Sequence, residues 1–279
     1  YSIPQICYHA LNYLYCWRDM NKSLIIKVVV TAAIFLIIGN ILRTTLGLDI
    51  FVGDLSGIGI LVSFLGTIYT LIGAFTIVEV WGQFNTVNSL LSKEAKSLTS
   101  IWNYIDYLND KVLDKSMKAA LVAYINSTIK NEHDEAAKGI RSIHPSGELL
   151  SIYRVLDNIS FNDKRDAAVF PLLVTAYEEL SSIRSERIDA SVARLPGLLK
   201  FFFNTLTFIL MLGFLLIGFN NTQLYVFSII AVSFITSATY QIIFDLDNPF
   251  DGDWNIEYTP FEHARQYILE TKHAIAQKA

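Results

Sequence analysis

Apolar residues gather into four long runs along the chain. Leu24–Leu42 is 19 residues with a single charge, Lys27, near its start. Gly57–Val78 is 22 residues, Phe201–Phe219 is 19 and Leu224–Phe244 is 21, all three without charge. A helix needs about 20 apolar residues to cross the hydrocarbon core of a bilayer. Each run therefore predicts a membrane-spanning helix. Residues 43–56 join the first pair and Asn220 to Gln223 join the second, so the spans form two hairpins. Between them lies a polar stretch from Trp81 to about Pro196 that reads as helical. It has identifiable breaks at 143–147 (IHPSG) and 157–163 (DNISFND), and Pro171 and Pro196 mark further helix starts or kinks. No long stretch alternates with period two, so no sheet is expected.

The predicted fold is all-α: a four-span transmembrane helical protein with a helical cytoplasmic domain inserted between two transmembrane hairpins. The expected divisions are an interfacial N-terminal segment (1–23), the first hairpin (24–80), the helical domain (81–196), the second hairpin (197–244), and an acidic turn with a C-terminal tail (245–279). Tyr8, Tyr13, Tyr15 and Trp17 precede the first span, as an aromatic belt at a headgroup layer would.

A second periodicity runs through the second span. Gly59, Ser63, Gly66, Thr70 and Gly73 are spaced four, three, four, three. The same alternation continues through Ile77, Val80, Phe84, Val87, Leu91, Glu94, Leu98, Ile101, Ile105 and Leu108. An unbroken helix over this stripe would be about 75 Å long at 1.5 Å per residue. The stripe is small and polar inside the span and large and apolar after it. Small residues let helices approach closely in lipid; large apolar ones drive packing in water. Glu94 interrupts the apolar part, so it is either paired with a base or faces a wet space. The stripe fits packing within one chain and packing against other copies equally well. Ile60, Phe64 and Ile68 lie on a second face of the span, four residues apart. In the fourth span, Ser233, Thr236, Ser237, Thr239 and Tyr240 suit hydrogen bonding between helices more than an ion path.

Charge gives orientation. The chain carries 17% charged residues, against about 25% in an ordinary soluble domain. Of its 22 Lys and Arg, 14 lie in the middle segment, and Arg18, Lys22, Lys27, Arg265, Lys272 and Lys278 lie in the flanks. The outer connections hold Arg43 alone. The positive-inside rule then puts both termini and the middle segment in the cytoplasm. A net charge of −4 offers no basic field for nucleic acid. Cys7 and Cys16 suggest no disulfide framework.

The sequence shows no Walker loop, no HExxH and no paired CxxC, and no nucleophile–base constellation, so an enzyme is the weakest reading. In Glu132-His133-Asp134-Glu135 neighbouring side chains point around a helix instead of converging on a metal, and a solvated face is expected. The stretch FDLDNPFDGDW places Asp245, Asp247, Asp251 and Asp253 within nine residues. Such carboxylates suit a turn with salt bridges to Lys and Arg, or a Ca²⁺ site, since Ca²⁺ takes six to eight oxygens in flexible geometry.

Two hairpins around a helical middle, with VSFLGTIYTL at Val62–Leu71 followed by Trp81, resemble bestrophins. Trp81, the pair Glu94-Ala95 and the motif DLDNPF at Asp245–Phe250 resemble the bacterial bestrophin-like group more closely. The resemblance implies a homo-oligomer, pentameric, in the bacterial inner membrane, conducting anions such as chloride. It implies that the second span lines the pore, with Ile60, Phe64 and Ile68 as the apolar neck. It adds a second reason for Ca²⁺, because animal bestrophins bind it in an acidic segment after their last span. The alternative is a non-conducting membrane scaffold or accessory subunit that binds a protein partner through its cytoplasmic helices.

Overall fold

A computed structural model describes residues 26, 29–41, 45, 55–141, 146–160, 164–217, 219, 221–251 and 254–276. The expected interfacial segment 1–23, Lys27 and Asp253 lie outside them. The described residues form helices without a strand. In chain order these are α1 (Val29–Ile41), α2 (Leu55–Leu108), α3 (Lys111–Ser127), a π-helical segment (Thr128–Glu132), α4 (His133–Ala137), α5 (Gly147–Asp157), α6 (Lys164–Val192), α7 (Gly197–Leu216), α8 (Thr222–Asp247) and α9 (Thr259–Ala276). Three apolar stretches are long enough to cross a membrane, in α2, in α7 and in α8. The described part of the first expected span is the shorter apolar α1; its ends, Leu24 and Leu42, lie outside the described residues.

The local chemistry explains the boundaries. Helix α2 ends after Leu108 because Asn109 turns left-handed, at φ 56°, a conformation Asn tolerates better than most residues. Asp110 then caps α3, its side chain accepting from the amides of Val112 (2.8 Å) and Leu113 (3.2 Å). Ser146 caps α5 through the Leu149 amide. Pro196 precedes α7 as expected. Pro171 does not start a helix: α6 runs through it.

The chain divides into two compact units: Tyr1–Val80 with Leu195–Asp247, and Trp81–Arg194 with Asn248–Ala279. In the first, small residues set the packing. A methyl group on Gly213 would come within 2.7 Å of Val62, and one on Gly73 within 3.4 Å of Thr239 and 3.6 Å of Phe203. Tyr69 stacks on Phe203 with centroids 5.1 Å apart, and its hydroxyl donates to the Thr236 carbonyl. Leu215, Tyr225 and Ile229 form a small core with Phe35 and Leu36. Large apolar side chains such as Phe75, Phe201, Phe208 and Phe227 stay exposed, as lipid permits.

The second unit has an interior of the kind water produces. From α2 it buries Val87, Leu91, Leu98, Ile101 and Ile105; from α3, Met117, Leu121 and Tyr124; from α5, Ile152; from α6, Leu173 and Leu180. The C-terminal segment is part of it: α9 contributes Phe261, Ala264 and Ile268.

Candidate functional site

The two faces of α2 singled out by the sequence have different surroundings. Ile60 is 72% exposed and Phe64 61%, while Ile68 is half-buried. The glycine stripe is divided. Gly73 is buried, and Gly66 has Leu210 3.9 Å from where a methyl would stand, but nothing among the described residues lies within 4 Å of that position at Gly59. Ser63 and Thr70 are exposed, and their hydroxyls donate back to the Gly59 and Gly66 carbonyls at 2.8 and 2.9 Å. Their polarity is thus spent on their own helix. The first half of α2 presents an apolar, uncharged face that the described residues leave open.

Further along the same stripe, Glu94 is fully buried. Its partner is Arg187 of α6, whose Nε lies 2.5 Å from Glu94 Oε2 and whose Nη2 is 3.3 Å from Oε1. The Tyr124 hydroxyl of α3 also donates to Glu94 Oε1. Arg187 donates in addition to Glu132, which accepts from Arg184 Nε and Nη2 at 3.0 and 2.6 Å. Two carboxylates and two guanidiniums, all buried, therefore cancel in charge and hydrogen-bond one another. Burial of such ions is tolerated only when both conditions hold.

This cluster corrects one expectation. Glu132 does not belong to a solvated face. Beside it, the His133 ring packs edge-on against Phe250 (5.7 Å) and Tyr258 (5.6 Å). The signal was present: Tyr124, Thr128 and Glu132 continue the inner face of α3 at intervals of four, and Leu180, Arg184, Arg187 and Ser191 mark a buried face of α6 at intervals of four, three and four. The acidic and basic residue types hid it.

The cluster also sets protonation. Burial alone would raise the Glu132 carboxyl, but Arg187 and Arg184 outweigh it and hold it below its ordinary 4.5. Burial, with the adjoining Glu94 charge, pushes the Tyr124 phenol well up. Burial raises Tyr258 to about 12, against the opposing pull of Arg187.

The acidic motif is divided among several tasks. Asp247, at the end of α8, is buried; it accepts from the Leu195 amide at 2.6 Å and pairs with Lys200 at 2.5 Å. Asn248 accepts from Arg194 at 2.7 Å and donates to the Ala137 carbonyl at 3.1 Å. Phe250 is buried in the core of the second unit and Asp251 is exposed. Asp245 lies in the last turns of α8. Among the described residues, no three His, Cys, Asp or Glu are grouped so as to hold a metal. In α8, Ser233 and Thr236 are buried, and Thr236 donates to the Val232 carbonyl at 2.8 Å.

A family model described as Bestrophin-like domain matches residues 54–261. Among curated proteins nothing matches. The crystal structure of a bacterial Bestrophin homolog from Klebsiella pneumoniae is similar at a TM-score of 0.69 and 14% identity, covering 88% of this chain and 97% of that one. A point variant of that homolog is similar at 0.68 and 14%, covering 88% and 99%. A variant described only as a membrane protein is similar at 0.69 and 11%, covering 88% and 97%. At these identities the likeness is one of fold.

Proposed function

The chain belongs to the Bestrophin-like family, and from that premise we propose that it assembles as a homo-oligomeric membrane channel, a pentamer, that conducts anions along a pore lined by α2. One observation carries the pore assignment: Ile60 and Phe64 stand exposed on a span helix with no charged residue between Gly57 and Val78. Ile60, Phe64 and Ile68 then form successive apolar rings, and Gly59 and Ser63 give neighbouring copies a close approach. A neck of this kind gates by dewetting and sorts ions by how readily they shed water. The positive-charge distribution supports an orientation with both termini and the second unit in the cytoplasm, and the likeness to a bacterial homolog supports the bacterial inner membrane as the location. Nothing in the reading needs a catalytic group or a cofactor.

The test is flux. Purified protein in liposomes should pass chloride, and Phe64→Ala should raise the flux by widening one of the proposed apolar rings. An intact oligomer that passes no ion, with Phe64→Ala equally silent, would overturn the channel. It would leave the scaffold reading, in which a protein partner binds the cytoplasmic helices.

A further inference from the structure

We infer that Trp81, Phe84 and Trp254 form a ledge that seats in the phospholipid headgroup layer. Trp81 follows Val78, the last residue of the uncharged run, by three positions on the same helix, or about 4.5 Å at the α-helical rise. It is 46% exposed, although tryptophan is the largest side chain the unit could have buried. Its ring stacks on Phe84 with centroids 6.0 Å apart and planes at 22°. Trp254 meets Trp81 edge-on, 5.7 Å away at 71°.

The two tryptophans come from different parts of the chain. Trp81 follows the second apolar run. Trp254 lies seven residues past Asp247, the end of the helix formed by the fourth run. Both segments that leave a span at this end of the sequence pattern thus deliver an indole to one cluster. The cluster is also open: Gly82 is exposed, and among the described residues no atom lies within 4 Å of where its methyl would stand. Tryptophan pairs an apolar body with a polar N–H and is enriched where hydrocarbon gives way to headgroups. A half-exposed indole a few ångströms beyond a span fits that layer better than bulk water.

The inference depends on membrane insertion and not on conduction, so it can fail while the channel stands. The chain has four tryptophans, Trp17, Trp81, Trp102 and Trp254. In a Trp17→Phe background, Trp102 is fully buried and serves as an internal reference. The protein is reconstituted into vesicles containing a lipid with a nitroxide on its headgroup, and tryptophan emission is recorded. The ledge predicts strong quenching, reduced in steps by Trp81→Phe and Trp254→Phe and absent from the double variant. As a control, Phe227→Trp, in the fourth span, should be quenched by lipids brominated along the acyl chain, which establishes insertion. If that control responds while Trp81 and Trp254 are untouched by the nitroxide, the ledge is wrong. Quenching by aqueous acrylamide would then mean that water faces the rings, and protection from both quenchers that another copy of the chain covers them.

Discussion

Arg187 holds Glu94 through its Nε at 2.5 Å, and neither side chain is more than 1% exposed. The contact joins the helix that carries the proposed pore face to α6. Removing one partner strands the other charge in a dry interior, which costs about 3–5 kcal/mol. Glu94→Gln and Arg187→Met should each lower the thermal midpoint in detergent by many degrees. The double variant should lose clearly less than the sum of the two, because the stranded charge disappears. Strict additivity would show that the pair is not coupled.

Glu132 predicts the acid limb of stability. Its folded carboxyl is depressed below 4.5, so its contribution is present above the unfolded value and is lost as pH falls from about 4.5 toward the folded one. Thermal midpoints measured from pH 6 to pH 3 should fall less steeply in Glu132→Gln, which starts lower.

The alkaline limb has the opposite sign. Tyr258 is raised to about 12, so its stabilisation is full below about 10, its ordinary value, and is lost as pH climbs from there toward 12. Tyr124 acts in the same direction. Tyr258→Phe should flatten the decline between pH 10 and 12 and leave the neutral midpoint nearly unchanged. A wild-type slope in that variant would show that Tyr258 does not titrate there.

Glycine substitutions separate packing within one chain from packing between copies. Gly213→Ala would place a methyl 2.7 Å from Val62, and such overpacking costs about 1–3 kcal/mol; adding Val62→Ala should restore most of it. Gly59→Ala meets nothing among the described residues. If it nevertheless dissociates the oligomer on size exclusion, a neighbouring copy lies against Gly59.

Asp247 is already committed to Lys200 and the Leu195 amide. Millimolar Ca²⁺ should therefore leave the thermal midpoint in place. Asp247→Ala should lower that midpoint to the same extent with and without the ion. A Ca²⁺-dependent rise lost in Asp247→Ala would instead establish a cation site.

Hydrophobic pattern alone determined much of this protein. Uncharged runs of span length and a four–three stripe from Gly59 to Leu108 were legible because burial in lipid and burial in water each leave a periodic mark. Glu94 was legible as an interruption, to be met either by a base or by a wet space, because burying a lone charge is costly. Which base answered it was not. Arg187 lies 93 positions away, and nothing local marks it as the partner instead of any other cation of the middle segment. Glu132 was misread for the same reason: a carboxylate on a helix looks solvated until the guanidiniums that neutralise it are in place. The aspartate motif looked like one cluster, yet folding gave Asp247 to a backbone amide and Lys200, Asn248 to Arg194 and Phe250 to the core. Period and composition are properties of neighbours along the chain. Charge pairing depends on distance in space, and only the tertiary structure decides that.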